Sequence, residues 1–366
     1  MIKLLIVDDS PLMRRLLAQA FTEDGGFVIA QARDGVEALE RLSDFAPDVV
    51  TLDVNMPGLD GLQTLDQIML RRPCPVVMVS ALTTGGAEVT LEALDLGAVD
   101  FVAKPDGAVT LKMETFAPAL VATVREAASA RVRRTHRLAE RVRLHSGGLP
   151  TVLPTSAATR RARASAGAEG EPAGLVVVGS STGGPPALDA LLEPLGADFP
   201  WPIVVAQHMP ATFTGSLAQR LDRLCALTVV EVGQPMRLSA GTVYVARGDA
   251  DMILSRRAKG LVALPAPESD RHRWHPSVDR LMDSAMAVLP STRLAGVLLT
   301  GMGDDGARAM AALRADGGWT LAESERSAVV WGMPGELVKR GGASVVADVS
   351  EAAARLVEAV SAAALA

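Results

Sequence analysis

A chain of 366 residues, 49 % of them apolar and 21 % charged, is long enough for two domains and can bury a core in each. Its net charge of −6 argues against a general nucleic-acid binder, which carries a basic excess. The two cysteines, Cys74 and Cys225, argue against a disulfide framework or a thiolate metal site.

The first apolar stretch, Met1 to Val7, stops at Asp8-Asp9, too early for a secretory signal. No uncharged apolar run approaches the roughly 18 residues that span a bilayer. A soluble, cytoplasmic protein with no direct membrane insertion is expected.

KLLIV, FVIAQ, DVVTLD, PVVMVS and VDFVAK read as strands, each followed by helical spacing, up to about residue 122. Such alternation predicts a parallel sheet with helices on both faces. Residues 123–172 read as a linker: a basic helix over Arg125 to Leu144, then a disordered Pro/Ala/Ser/Gly-rich tether after Gly147-Gly148. From residue 173 the strand rhythm resumes with GLVVVGS, PIVVAQ, TVYVA, AGVLLT and TLAES, a second α/β domain over 173–366. In sheets of this kind functional groups gather at the carboxyl ends of strands.

In the first domain those ends offer Asp8 and Asp9, then Asp53, Ser80 and Lys104. Parallel strands bring them to one edge. Carboxylates that close raise one another's pKa unless a cation intervenes, and Mg²⁺ is the simplest hard ion for oxygen ligands. A carboxylate beside Mg²⁺ can attack a phosphoryl donor while the metal and Lys104 neutralise charge.

The order D-D…D…S…K-P, closing on Lys104-Pro105, resembles the response-regulator receiver family. The resemblance implies a flavodoxin-like domain with a five-stranded parallel sheet and Asp53 as phosphoacceptor. It also implies Asp8, Asp9, Asp53 and the Asn55 carbonyl around Mg²⁺, with Ser80, Lys104 and Phe101 as switch residues. Asn55 stands where the family often has glutamate, a change that bears on metal affinity or phosphate lifetime.

In the second domain Gly179-Ser180-Ser181-Thr182-Gly183 fits the G-x-S-x-G turn that exposes a nucleophilic serine, and Pro185 suits the first turn of the next helix. A phosphate-binding loop needs a lysine where Gly-Gly-Pro stands. Of five histidines, His208 directly follows the strand PIVVAQ, and His275 in RWHPSVD is its rival. The third member of a hydrolytic triad is a carboxylate, and AGVLLT runs into Gly301-Met302-Gly303-Asp304-Asp305-Gly306, where the sequence alone leaves Asp304 and Asp305 open. The order Ser…His…Asp differs from those of α/β-hydrolases, chymotrypsin and subtilisin.

Together S-S-T-G-G-P, A-Q-H-M-P, H-P-S-V-D, L-L-T-G-M-G-D-D-G-A and V-V-W-G-M-P resemble the catalytic domain of the chemotaxis protein-glutamate methylesterase family. The receiver–linker–hydrolase order is that family's too. The resemblance implies a doubly wound α/β domain with a mostly parallel sheet, Ser181 as nucleophile, His208 as base and Asp305 as the orienting acid. Thr182 then flanks the nucleophile, and the Met302 N–H binds the oxyanion.

It further implies phosphorylation-activated hydrolysis of glutamate γ-methyl esters, with deamidation of glutamine and no cofactor for ester cleavage. The implied partners are the cytoplasmic helices of methyl-accepting chemoreceptors as substrate and a chemotaxis histidine kinase as phosphodonor, with no nucleic acid; a monomer is expected. The unphosphorylated receiver is expected to pack over the hydrolase cleft until phosphorylation weakens that packing. One loop departs from the family: Arg247 replaces a proline, and Asp251 stands near the place of a histidine. That departure bears on substrate affinity or loop shape.

Overall fold

A computed structural model describes residues 1–81, 84–104, 109–130 and 172–363. Pro105 and the linker between 131 and 171, with most of the expected basic helix, lie outside the described residues. The chain divides into two compact units, Met1–Leu153 and Pro154–Ala366.

Among the described residues the first unit holds a five-stranded parallel sheet in the order β2-β1-β3-β4-β5, the flavodoxin-like order. Its strands are β1 (Ile2–Val7), β2 (Phe27–Ala32), β3 (Val49–Asp53), β4 (Val76–Ala81) and β5 (Asp100–Lys104). The central strand β3 is buried along its whole length, as a strand covered on both faces must be. Side-chain caps start the helices where the sequence turns polar. Ser10 accepts from the Met13 N–H ahead of α1 (Pro11–Asp24), Asp34 caps α2 (Gly35–Phe45), and Asp60 with Gln63 forms a capping box on α3 (Gly61–Arg71).

Helices α4 (Thr84–Leu96) and α5 (Val109–Ala127) follow among the described residues of this unit. α5 crosses residue 122, where the sequence reading ends the domain. Arg125 is bonded to the Asp24 carboxylate and the Gly25 carbonyl, and its guanidinium lies 4.7 Å from the centre of the Phe27 ring. Arg125, which the sequence reading places at the start of the linker's basic helix, thus packs on the first unit.

The second unit is built on a seven-stranded sheet, β15-β14-β13-β6-β7-β10-β8, in which every neighbouring pair is parallel. β6 (Leu175–Ser180) lies between β7 (Ile203–Gln207) and β13 (Leu294–Leu298). The chain first winds from β6 towards β7, β10 (Thr242–Ala246) and β8 (Thr228–Val232). It later returns on the other side through β13, β14 (Trp319–Glu323) and β15 (Val345–Ala347). The winding reverses between β6 and β13, so a crevice forms beyond their carboxyl ends. Val177, Val204, Leu298 and Met310 sit in the core cluster that holds the sheet.

Besides β8 and β15, a further sheet is absent from the strands read in the sequence. β11 (Asp251–Arg257), β12 (Gly260–Ala266) and the short β9 (Met236–Arg237) form a separate antiparallel sheet. Its hairpin packs against the helix Val278–Val288, numbered α8 here. Before it come α6 (Gly184–Leu192) and α7 (Ala211–Leu224); after it come α9 (Ala307–Ala315), α10 (Met333–Lys339) and α11 (Val349–Ala363).

Candidate active site

Register assembles the acidic pocket of the first unit. Val7 pairs with Leu52, so Asp8 and Asp53 are the next residues on neighbouring strands. Asp53 in turn pairs with Val79, and Ser80 with Ala103. Lys104 Nζ lies 2.9 Å from Asp8 and 2.7 Å from Asp53.

Asp8 and Asp53 are buried and Asp9 exposed, and each offers an oxygen within 4.8 Å of the others. Burial, joined by the negative charge of Asp8, raises the Asp53 carboxyl above its ordinary pKa despite Lys104. Burial works against the Lys104 charge, but Asp53 and Asp8 outweigh it and raise its pKa. The pocket thus holds more negative charge than one lysine offsets, which fits a divalent cation at its three carboxylates.

Ser80 is fully buried on the same edge. Phe101 is half-buried on β5, and the exposed Asn55 donates its N–H to Asp53 at 3.4 Å. Arg14, not singled out from the sequence, donates to the backbone carbonyls of Asp8 and Asp9 at 2.8 and 3.1 Å and so braces the acid pair.

In the second unit Ser180 pairs with Gln207, so Ser181 and His208 leave adjacent strands side by side. The His208 N–H donates to the Ser180 carbonyl at 3.0 Å. Gln207 fixes both strand ends: its amide donates to the Ser181 and His208 carbonyls at 2.9 and 3.0 Å, while its Oε1 accepts from Ser180 Oγ at 2.6 Å. A Cβ at Gly184 would fall 1.9 Å from that Oε1, so this backbone approach requires glycine. Ser180 is thereby spent on structure. Ser181 Oγ, half-buried at the turn, bonds to no described residue.

His208 Nε2 lies 2.9 Å from Asp305 Oδ2, and His208 Nδ1 is buried without a partner among the described residues. Asp304, which the sequence alone left open beside Asp305, points elsewhere: it is exposed, 3.7 Å from Arg340. Asp305 is 4 % exposed and sits at the N-terminus of α8. There it accepts from Ser277 Oγ at 3.0 Å, the Val278 N–H at 2.7 Å and the Asp279 N–H at 3.0 Å. Burial raises its pKa, but the hydrogen bond and charge of His208 and the Asp279 and Val278 N–H groups outweigh burial and hold it below the ordinary carboxylate value.

The loop after β13 closes over the serine. A Cβ at Gly301 would stand 2.7 Å from Ser181 Cβ. The Ser181 N–H donates to the Thr300 carbonyl at 3.0 Å, and Thr300 Oγ1 to the Thr182 carbonyl at 2.9 Å. Next to Gly301, the Met302 N–H donates to no described group. Glu323, buried at the end of β14, accepts from the Thr300 N–H at 2.7 Å and so holds this loop. Strand-end position was the signal for Glu323, which the sequence reading passed over.

Trp274 stacks on the His208 imidazole, with ring centres 5.6 Å apart and planes within 6°. His275, the rival base, is taken up elsewhere: its Nδ1 lies 3.2 Å from Asp251. His136 and His145 lie outside the described residues.

A family model described as CheB methylesterase matches residues 176–356, and one described as response regulator receiver domain matches residues 4–114. The chain is 56 % identical over 359 residues to a protein-glutamate methylesterase/protein-glutamine glutaminase of Rhodopseudomonas palustris, covering 98 % of each chain. It is 50 % identical to one of Rhodospirillum rubrum, covering 97 % of this chain and 95 % of the relative. Among solved structures, the CheB methylesterase catalytic domain of Thermotoga maritima is 37 % identical, with a TM-score of 0.49, and aligns over 50 % of this chain and 97 % of that domain. With full-length relatives at these identities, the chain belongs to the protein-glutamate methylesterase/protein-glutamine glutaminase family, in which a response regulator receiver domain accompanies a CheB methylesterase domain.

Proposed function

We propose that this chain is a phosphorylation-regulated hydrolase of glutamate γ-methyl esters on chemoreceptor helices, and also a deamidase of receptor glutamines, with Ser181, His208 and Asp305 as its reacting unit. The observation that carries the reading is the His208–Asp305 pair at 2.9 Å, one residue past the strand register that sets His208 beside Ser181.

Asp305 keeps a proton on His208 Nε2, which leaves Nδ1 as the base. Ser181 Oγ attacks the ester carbonyl carbon and gives its proton to Nδ1. The Met302 N–H, beside Thr182, stabilises the oxyanion, in the way such donors contribute about 2.7–4 kcal/mol each elsewhere. The C–O bond to the methoxy group breaks, and methanol leaves with the proton from His208. Water, deprotonated by the same nitrogen, then attacks the acyl carbon, Ser181 regains that proton as its C–O bond breaks, and the freed glutamic acid releases its own proton to solvent as the carboxylate. For glutamine, ammonia leaves in place of methanol. Trp274 holds the imidazole plane through these proton transfers.

In the receiver, Asp53 attacks the donor phosphorus, the P–N bond to the kinase histidine breaks and its imidazole leaves, while Lys104 moves from the carboxylates to the transferred oxygens with Ser80 alongside. Mg²⁺ held by Asp8, Asp9, Asp53 and the Asn55 carbonyl would neutralise charge on the transferring group. Phosphorylation adds about two negative charges at Asp53 and relieves a restraint on the hydrolase. A chemotaxis histidine kinase is the phosphodonor of this reading.

The test is methanol release from a methylated receptor with acetyl phosphate and Mg²⁺. The native chain should accelerate severalfold, and Asp53→Asn should stay at the basal rate. Equal acceleration of both would remove Asp53 from the regulatory role.

A further inference from the structure

Asp251 opens β11 with its carboxylate buried to 2 % exposure. A charge at that depth is tolerated only when its partners satisfy it. Oδ1 accepts from the Ser277 N–H at 2.8 Å, while Oδ2 meets His275 Nδ1 at 3.2 Å and the Arg280 guanidinium, which also donates to the Pro267 carbonyl at 2.6 Å.

The donors from His275, Ser277 and Arg280 all belong to one stretch, which contains the N-cap and first turn of α8. The same stretch supplies the Ser277 hydroxyl and the Val278 and Asp279 N–H groups to Asp305. Ser277 gives its backbone N–H to one aspartate and its hydroxyl to the other. The turn is clamped between two buried carboxylates, of which only Asp305 reaches His208.

We propose that Asp251 is a positioning residue for ester hydrolysis: it fixes the N-terminus of α8 against β11, so that this terminus holds Asp305 at His208. The inference rests on the reading of Ser181, His208 and Asp305 as the hydrolytic unit. It also gives the Asp251 departure a meaning other than substrate affinity, because the side chain is interior and faces the frame of the catalytic acid.

Residues that act through geometry affect turnover steeply, since a displacement of about 1 Å at a reacting group costs on the order of 100-fold. A residue that merely stabilises the fold lowers the fraction of folded enzyme and leaves each folded site as fast as before.

The experiment uses the full chain with Asp251→Ala and Asp251→Asn. A serine-directed phosphonate, run to completion, counts active sites, and kcat and KM for receptor methyl-ester hydrolysis are then expressed per site. Asp251→Ala should lower kcat per site about 10- to 100-fold with KM within about twofold. Asp251→Asn keeps an acceptor for the Ser277 N–H but loses the charge opposite Arg280, and should fall between native and alanine. Unchanged kcat per site in the folded variants would overturn the proposal. Should the alanine variant fail to fold, the asparagine variant decides alone. A native chain that neither labels at Ser181 nor releases methanol would bring down the hydrolytic reading first, and this inference with it.

Discussion

Replacing Ser181 by alanine should lower methanol release by on the order of 10⁴-fold or more and abolish labelling by a serine-directed phosphonate. Loss of the nucleophile removes the covalent route and leaves only substrate binding and oxyanion stabilisation, which in comparable hydrolases give a small residual rate. Stability should change little, by roughly 0.5 kcal/mol or less, because the hydroxyl is half-buried and bonded to no described residue. Activity and stability are thus uncoupled at this position. A variant that unfolded or kept near-native turnover would contradict the assignment from opposite sides.

Asp305→Asn should cost roughly 10⁴-fold in kcat, as removal of the charge behind a catalytic imidazole does elsewhere. An amide no longer stabilises the imidazolium, and it can present its NH₂ to Nε2 and select the wrong tautomer. The same substitution has a signature in acid. The Asp305 pKa is held below its ordinary value of 3.8, despite burial, chiefly by His208 and the α8 backbone N–H groups. Its contribution to stability is therefore fully present above the unfolded-state value and is lost as pH falls through the lower folded-state value. Denaturant midpoints measured across that acidic window should fall more steeply for the native chain than for Asp305→Asn. Parallel curves would mean that Asp305 carries no net stabilising interaction.

The sheets were legible because each core strand is a short β-branched run ending on a polar residue. KLLIV stops at Asp8-Asp9, LVVVGS at Ser181 and IVVAQ at His208. Strand-end position then selects the chemistry without knowledge of the fold. Asp304 and Asp305 were not separable that way, since both follow the same strand within one glycine-rich loop. Burial at the α8 N-terminus separates them, and that is a tertiary fact.

The β8 strand TVVEV was missed because it lies at the sheet edge with an irregular pattern of burial. The β11–β12 hairpin was missed because its turn runs through Arg256-Arg257-Ala258-Lys259, which reads as a solvated segment. With the hairpin went the bonded role of Asp251, which the sequence marks only as a departure in a loop. Trp274 and Ser277 acquire their roles only when that hairpin and α8 pack together, bringing Asp251, Ser277 and Asp305 into one bonded network from separate segments.

The receiver shows a related contrast. Its acid pocket is a consequence of strand register and could be listed residue by residue. Arg14 was invisible, because its part is to hold the Asp8 and Asp9 carbonyls from the first helix, a job no motif spacing announces.

In the proposed mechanism an alcohol, an imidazole and a carboxylate react as one device. Groups that act as a unit are non-additive: once one is gone, removing the second costs almost nothing more. The decisive measurement is methanol release by Ser181→Ala, His208→Ala and the double variant on the same methylated receptor. The double variant should be no slower than the slower single variant, within about threefold. Losses that multiply in the double variant would show that Ser181 and His208 act independently, and the proposed mechanism would be wrong.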